Sequence, residues 1–110
     1  MKQLGPDTFQ VISDPNRRQI LQLLSKESLT ISSIAESFEM SRPAVSKHIK
    51  ILNEAGFISI RNIGRERYCL LQQDGFTELQ EWIAYFDTFW QSKLKNLERL
   101  LESKSSDRSS

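Results

Sequence analysis

Along its first half the chain places apolar residues at helical spacing, and then the period changes. In "SDPNRRQILQLLSKE" the residues Ile20, Leu21, Leu23 and Leu24 make one side of a helix, with Arg17, Arg18 and Gln22 on the other. Asp14 is placed to cap it, and Pro15 sits at the first helical position, where a missing N–H costs nothing, so a helix is predicted from Pro15 to about Lys26. A shorter helix, about Asp7 to Ile12, precedes it and carries Phe9 and Ile12. In "LTISSIAESFEMS" the set Ile34, Ala35 and Phe38 predicts another short helix capped by Thr30 or Ser32.

"SRPAVSKHIKILNEAG" then predicts a helix over about 42–55, capped by Ser41, tolerant of Pro43 in its first turn and stopped at Gly56. Val45, Ile49 and Leu52 fall in one narrow sector that must face a core. From "FISIRNIGRERYCLL" onward Ile58, Ile60, Tyr68 and Leu70 alternate with polar neighbours around Gly64, which predicts a two-stranded ribbon over about 57–71. After "QQDGF" a broad apolar face from Leu79 to Leu101 predicts a long helix over about 77–102, and the polar residues 105–110 read as an unstructured tail. The fold class this implies is mainly α with a small β-hairpin, arranged as one domain over residues 1–104.

The length of 110 residues fits one such domain. A net charge of +1 from fifteen basic and fourteen acidic residues announces no nucleic-acid binder, but the charge is segregated. Between Arg42 and Arg67 six basic residues stand against Glu54 and Glu66, whereas from Asp74 to Glu102 six acids outnumber Lys93, Lys95 and Arg99. One cysteine, Cys69, excludes an internal disulfide and suits a reducing compartment, and no apolar run reaches the roughly 20 residues of a membrane span. A soluble cytoplasmic protein is the expectation.

The helix over 42–55 carries small and basic residues on the side away from its apolar sector: Pro43, Ser46, Lys47 and Lys50. Small residues such as Ala44 and Ser46 let a helix backbone approach base edges, Ser46 bonds base or phosphate, and the capped N-terminus offers N–H groups to a phosphate. A solvated surface helix would look similar. The pairing with a ribbon that adds Arg61, Arg65 and Arg67 around a glycine turn favours a helix-turn-helix with a basic wing.

The runs "ISDPNRRQILQLL", "SIAESFEMSRPAVSKHIKILNEAGFI" and "RNIGRERYCL" together resemble the ArsR/SmtB family of winged helix-turn-helix repressors, over about Phe9 to Leu71. The resemblance implies a two-fold dimer that binds double-stranded DNA at a palindromic operator and blocks transcription. By position Arg42, Pro43, Ser46 and Lys47 match the base-reading end of the family's recognition helix and Arg61, Arg65 and Arg67 its wing; the cap Ser41, the small Ala44 and the basic Lys50 join them as expected DNA contacts from the residues themselves. Metal-sensing members use a cysteine pair before the recognition helix or Asp, His and Glu ligands on the last helix. Here "ISSIAES" holds no cysteine and the last helix no histidine, so the resemblance is to the metal-independent type, with no metal site expected.

His48 lies on the flank of the core sector, which suits half-buried packing, and Cys69 reads as a structural thiol. The last helix carries more apolar area than a chain this small covers, so Phe9, Leu79, Trp82, Ile83, Phe86, Phe89 and Trp90 are expected to form a dimer seam that sets two recognition helices roughly 34 Å apart. The family relation implies no cofactor, and no nucleophile–base pair or glycine-rich phosphate loop suggests an enzyme. Two alternatives stay open: a winged helix that docks an acidic protein, and a repressor released by oxidation of Cys69 or by a small-molecule or protein inducer acting at the aromatic seam.

Overall fold

The computed structural model describes the backbone of residues 7–109 and the side chains of residues 7–104. Its order is α1 (Thr8–Ile12), α2 (Pro15–Leu24), β1 (Leu29–Thr30), α3 (Ile31–Ser37), α4 (Arg42–Glu54), β2 (Ile58–Ile63), β3 (Glu66–Leu71) and α5 (Gln73–Ser109). The described residues fall into two units, one ending at Leu79 and one beginning at Gln80.

Each short helix starts where a side chain accepts its orphan N–H groups. Asp7 caps α1 through Phe9 N–H, Asp14 caps α2 through Asn16 and Arg17 N–H, Thr30 caps α3 through Ser33 N–H, and Ser41 caps α4 through Ala44 N–H. Helix α2 ends at Leu24, short of the expected Lys26, with Ser25 as its C-cap. Helix α4 closes in a Schellman motif: Phe57 N–H bonds Leu52 carbonyl at 3.0 Å and Gly56 N–H bonds Asn53 carbonyl at 3.2 Å, with Gly56 at φ 82°.

The ribbon is a sheet of three strands, in the order β1-β3-β2, rather than the two expected. Leu29 and Thr30 pair antiparallel with Cys69 and Tyr68, a strand too short to leave an alternation in the sequence. The β2–β3 register runs from Ile58↔Leu71 to Ile63↔Glu66, closing at Gly64 with φ 64°.

The core of the first unit gathers Val11 from α1, Ile20, Leu21 and Leu24 from α2, Ile34 from α3, Val45, Ile49 and Leu52 from α4, and Phe57, Ile58 and Cys69 around the sheet. The start of α5 is locked to this core. Gly75 N–H bonds Gly56 carbonyl at 2.8 Å, and the Phe76 ring meets the fully buried Phe57 edge-on at 5.0 Å between centroids. Residues 73–76 are therefore helix, where a connection was expected, and no glycine or proline interrupts the polar residues beyond Glu102, so the helix continues to Ser109 in place of an unstructured tail.

Candidate nucleic-acid interface

Three side chains decide which way α4 faces. Val45, Ile49 and Leu52 are at most 1% exposed, so the opposite side of the helix must meet solvent. Ser41, Arg42, Pro43, Ser46, Lys47 and Lys50 are accordingly exposed, and Ala44 is half-buried. Ser41 Oγ accepts from Ala44 N–H at 3.3 Å and fixes the N-terminal turn.

The strand register decides which wing residues join them. Successive residues of a strand point to opposite faces, and directly paired residues share a face. Arg67 is therefore on the face of buried Cys69, whereas Arg61, paired with Tyr68, is on the other. A cleft of about 410 Å³ is lined by Arg42 and Ser46 of α4, by Arg65, Glu66 and Arg67 of the wing, and by Thr30, Ile31 and Ser32 at the start of α3. Three arginines against one glutamate leave it net positive. A second hollow of about 310 Å³ includes Ser46, Lys50, Asn53 and Arg67, so Arg67 borders both.

Of the wing arginines expected to touch DNA, the fold thus brings Arg65 and Arg67 to the α4 N-terminus and holds Arg61 on the far face of the ribbon, exposed. Lys47 is exposed and lines neither hollow. Thr30 and Ser32 enter the lining without having been singled out as contacts, because only folding brings the start of α3 against the wing, and Asn53 enters it from the last turn of α4.

The sequence also placed Arg17 and Arg18 on an outer helix face. In the fold they close the end of α1: Arg17 Nε donates to Val11 carbonyl at 2.7 Å and Arg18 Nη1 to Ile12 carbonyl at 2.6 Å. Arg17 Nη1 also lies 3.3 Å from His48 Nδ1 and 3.8 Å from an Asp14 carboxylate oxygen. One half-buried guanidinium thereby ties α1, the cap of α2 and α4 together, and His48 takes the half-buried packing place expected of it. Burial pushes the Asp14 carboxyl up, but the N–H groups of Asn16 and Arg17, the Arg17 guanidinium and His48 outweigh it and hold it below 3.8. Burial pushes the Cys69 thiol up from 9.0 despite nearby Arg67, and its side chain is fully buried, so it is not a poised thiolate.

In the first unit Phe9 is half-buried and Leu79 packs partly against the core. In the second, Trp82, Ile83, Phe86, Phe89 and Trp90 are all exposed, between 36% and 59%. Among the described residues no three His, Cys, Asp or Glu side chains are grouped to hold a metal ion, and no helix is long and apolar enough to cross a membrane.

A short helix, a tight turn and a capped second helix whose exposed end shares a net-positive cleft with a β-wing define a winged helix-turn-helix DNA-binding protein. Residues 14–59 match the model of the bacterial regulatory protein arsR family. The chain is 38% identical over 80 residues to the transcriptional repressor SdpR of Bacillus subtilis, covering 73% of this chain and 89% of that one. To the HTH-type transcriptional regulator Rv2034 of Mycobacterium tuberculosis it is 32% identical over 104 residues, covering 94% of each. Among solved structures it is similar to a possible transcriptional regulator for arsenical resistance (TM-score 0.66, 39% identity, 77% of this chain and 85% of that one). It also shares its fold with the homodimeric winged helix-turn-helix domain Mb0332 of Mycobacterium bovis (TM-score 0.59, 22% identity, 73% and 77%). The chain belongs to the ArsR family of bacterial transcriptional regulators.

Proposed function

We propose that the protein is a dimeric repressor that binds a palindromic operator without a metal effector. The observation that carries the reading is the cleft joining Arg42 and Ser46 to Arg65 and Arg67, because it puts base-reading and phosphate-binding chemistry on one surface. On this reading Arg42 and Ser46 read base edges in the major groove, Ser41, Pro43, Ala44 and Lys47, outside the cleft, bring the helix end against the DNA, and Arg65, Arg67 and the neighbouring Lys50 hold the phosphate backbone. Arg61, on the other face of the wing, reaches a flanking phosphate. SdpR, a repressor, supports repression, and the homodimeric Mb0332 domain supports a dimer. The exposed aromatic face from Trp82 to Trp90 supplies the apolar area such a dimer buries, with Phe9 and Leu79 as lesser contributors.

Absence of a metal effector is supported by how the two soft donors are employed. His48 is bonded to Arg17, and Cys69 is buried in β3. The chain acts as a binder and not as an enzyme, in keeping with regulators as its relatives.

The test is an anisotropy titration on the DNA upstream of its own gene, at two salt concentrations, beside random duplex. Preferential binding that falls steeply with salt is expected, because phosphate contacts release counterions. Equal affinity for both duplexes overturns an operator in that upstream DNA, and no DNA affinity at either salt turns the basic face toward an acidic protein partner.

A further inference from the structure

Where the ribbon ends, an isoleucine faces water. Among the described residues of the first unit the exposed large apolar side chains are Ile63, at 60%, and Leu71, at 38%, and they stand at opposite ends of the β2–β3 ladder. Leu71 is at the base, paired with the buried Ile58, whereas Ile63 closes the turn against Glu66. A single exposed apolar residue is ordinary on a protein surface. The surroundings of this one are not, since Arg61, Arg65 and Arg67 stand within four positions of it against one acid, Glu66. An apolar protein surface covering Ile63 would desolvate those guanidinium groups, whereas a nucleic-acid groove offers them phosphates and offers Ile63 the faces of bases.

The register of the strands fits such a groove. Arg61 and Arg67 lie on opposite faces of the ribbon, as the two phosphate walls of a groove require. Ile63 is two residues beyond Arg61 on the same face, about 7 Å nearer the tip at about 3.3 Å per residue. The minor groove is about 7.5 Å deep, so with Arg61 at the phosphates Ile63 is level with the base edges. The tip is also narrow. It turns through Gly64, around which a Cβ would meet nothing within 4 Å, and its two strands are about 4.8 Å apart against a groove about 6 Å wide.

An isoleucine at that depth has no donor or acceptor for the polar edges on the groove floor. It acts instead as a wedge between neighbouring base pairs, which it partly unstacks. Its β-branch leaves it stiff at χ1, so little rotamer freedom is lost on entry. Unstacking is easiest at pyrimidine–purine steps such as TA and CA, and a wedge therefore turns the stiffness of DNA into a sequence preference without any hydrogen bond.

We infer that Ile63 is a specificity-determining residue of DNA binding: it enters the minor groove beside the sequence read by α4, wedges into a TA or CA step there and makes affinity depend on that step. The inference rests on the proposed DNA-facing surface and names what the tip of the wing adds to it.

Selection from a library of random duplexes tests it, with the unsubstituted chain, Ile63→Ser and Ile63→Leu run in parallel. The unsubstituted chain is expected to return a core motif with a TA or CA step at a fixed distance beside it. Ile63→Ser should return the core motif without the step, and Ile63→Leu, still an apolar wedge, should return both. On a duplex carrying the step Ile63→Ser should bind at least about fivefold more weakly than the unsubstituted chain, and on one with a GC step in its place the two should agree within about twofold. With 2-aminopurine as the purine of the step, fluorescence should rise by about twofold or more on adding the unsubstituted chain or Ile63→Leu and stay level with Ile63→Ser, because only a wedge unstacks it. A core motif returned by the unsubstituted chain without a flanking step, a step retained by Ile63→Ser, or equal fluorescence rises for all three proteins would overturn the inference. A library from which the unsubstituted chain enriches nothing would instead remove the DNA-facing surface itself, and the inference with it.

Discussion

Arg42 and Lys50 sit at opposite ends of the exposed side of α4, and their chemistry differs. Arg42, in the cleft beside Arg65 and Arg67, has the fork that reads a base edge, whereas Lys50 is a point charge suited to a phosphate. Arg42→Ala should cost about 1 to 3 kcal/mol on the preferred duplex and relax preference at one base pair. Lys50→Ala should weaken binding to every duplex and lower the slope of log affinity against log salt by about one. Competition titrations on specific and random DNA separate the two, and equal losses on both duplexes for both variants would contradict the assignment. Asp14 makes a prediction of another kind. Its carboxyl is held below 3.8 in the folded chain, so the charged form stabilises the fold above that pH, and the contribution disappears as pH falls through the lower folded value. Asp14→Ala should cost about 1 kcal/mol near neutral pH, and the gap from the unsubstituted chain should close in acid melts. Cys69 is fully buried, so a disulfide reagent should label it only after denaturation, and Cys69→Ser should cost about 1 to 3 kcal/mol by burying a hydroxyl in an apolar core.

Among elements, the junction of α4, the sheet and α5 depends on backbone closeness more than on side-chain type. A Cβ at Gly75 would stand 2.8 Å from Phe57 Cγ and 3.0 Å from Ala55 carbonyl oxygen. Phe57 is fully buried and cannot yield, so Gly75→Ala should destabilise by about 1 to 3 kcal/mol in chemical melts although alanine is the better helix former. At Gly64 a Cβ meets nothing within 4 Å, so substitution there bears only the cost of φ 64°. The elements legible in the sequence were those with a local cause: caps at Asp14 and Ser41, the glycine stop at Gly56, and the apolar sector of Val45, Ile49 and Leu52. Strand β1 was not legible, because two residues carry no period and pair only when β3 is beside them. Nor was the early start of α5, since Gly75 reads as a breaker until its N–H is seen on Gly56 carbonyl.

For the whole molecule, the proposed function depends on two surfaces made by different means. The proposed DNA-facing surface is assembled from α3, α4 and the wing within the first unit, and its affinity should track ionic strength. The apolar face of α5 lies along one helix, so its spacing could be read from sequence, including the leucines beyond Trp90. By itself the sequence determined the family, the helix caps, the exposed side of α4 and the length of apolar surface on α5, because each follows from residue type at short spacing. Only the tertiary structure decided that Arg65 and Arg67 join Arg42 while Arg61 does not, that Arg17 bridges α1 to His48, and that Cys69 is sealed in the core. Those outcomes depend on strand register and on contacts between residues distant in the chain, which no local periodicity encodes.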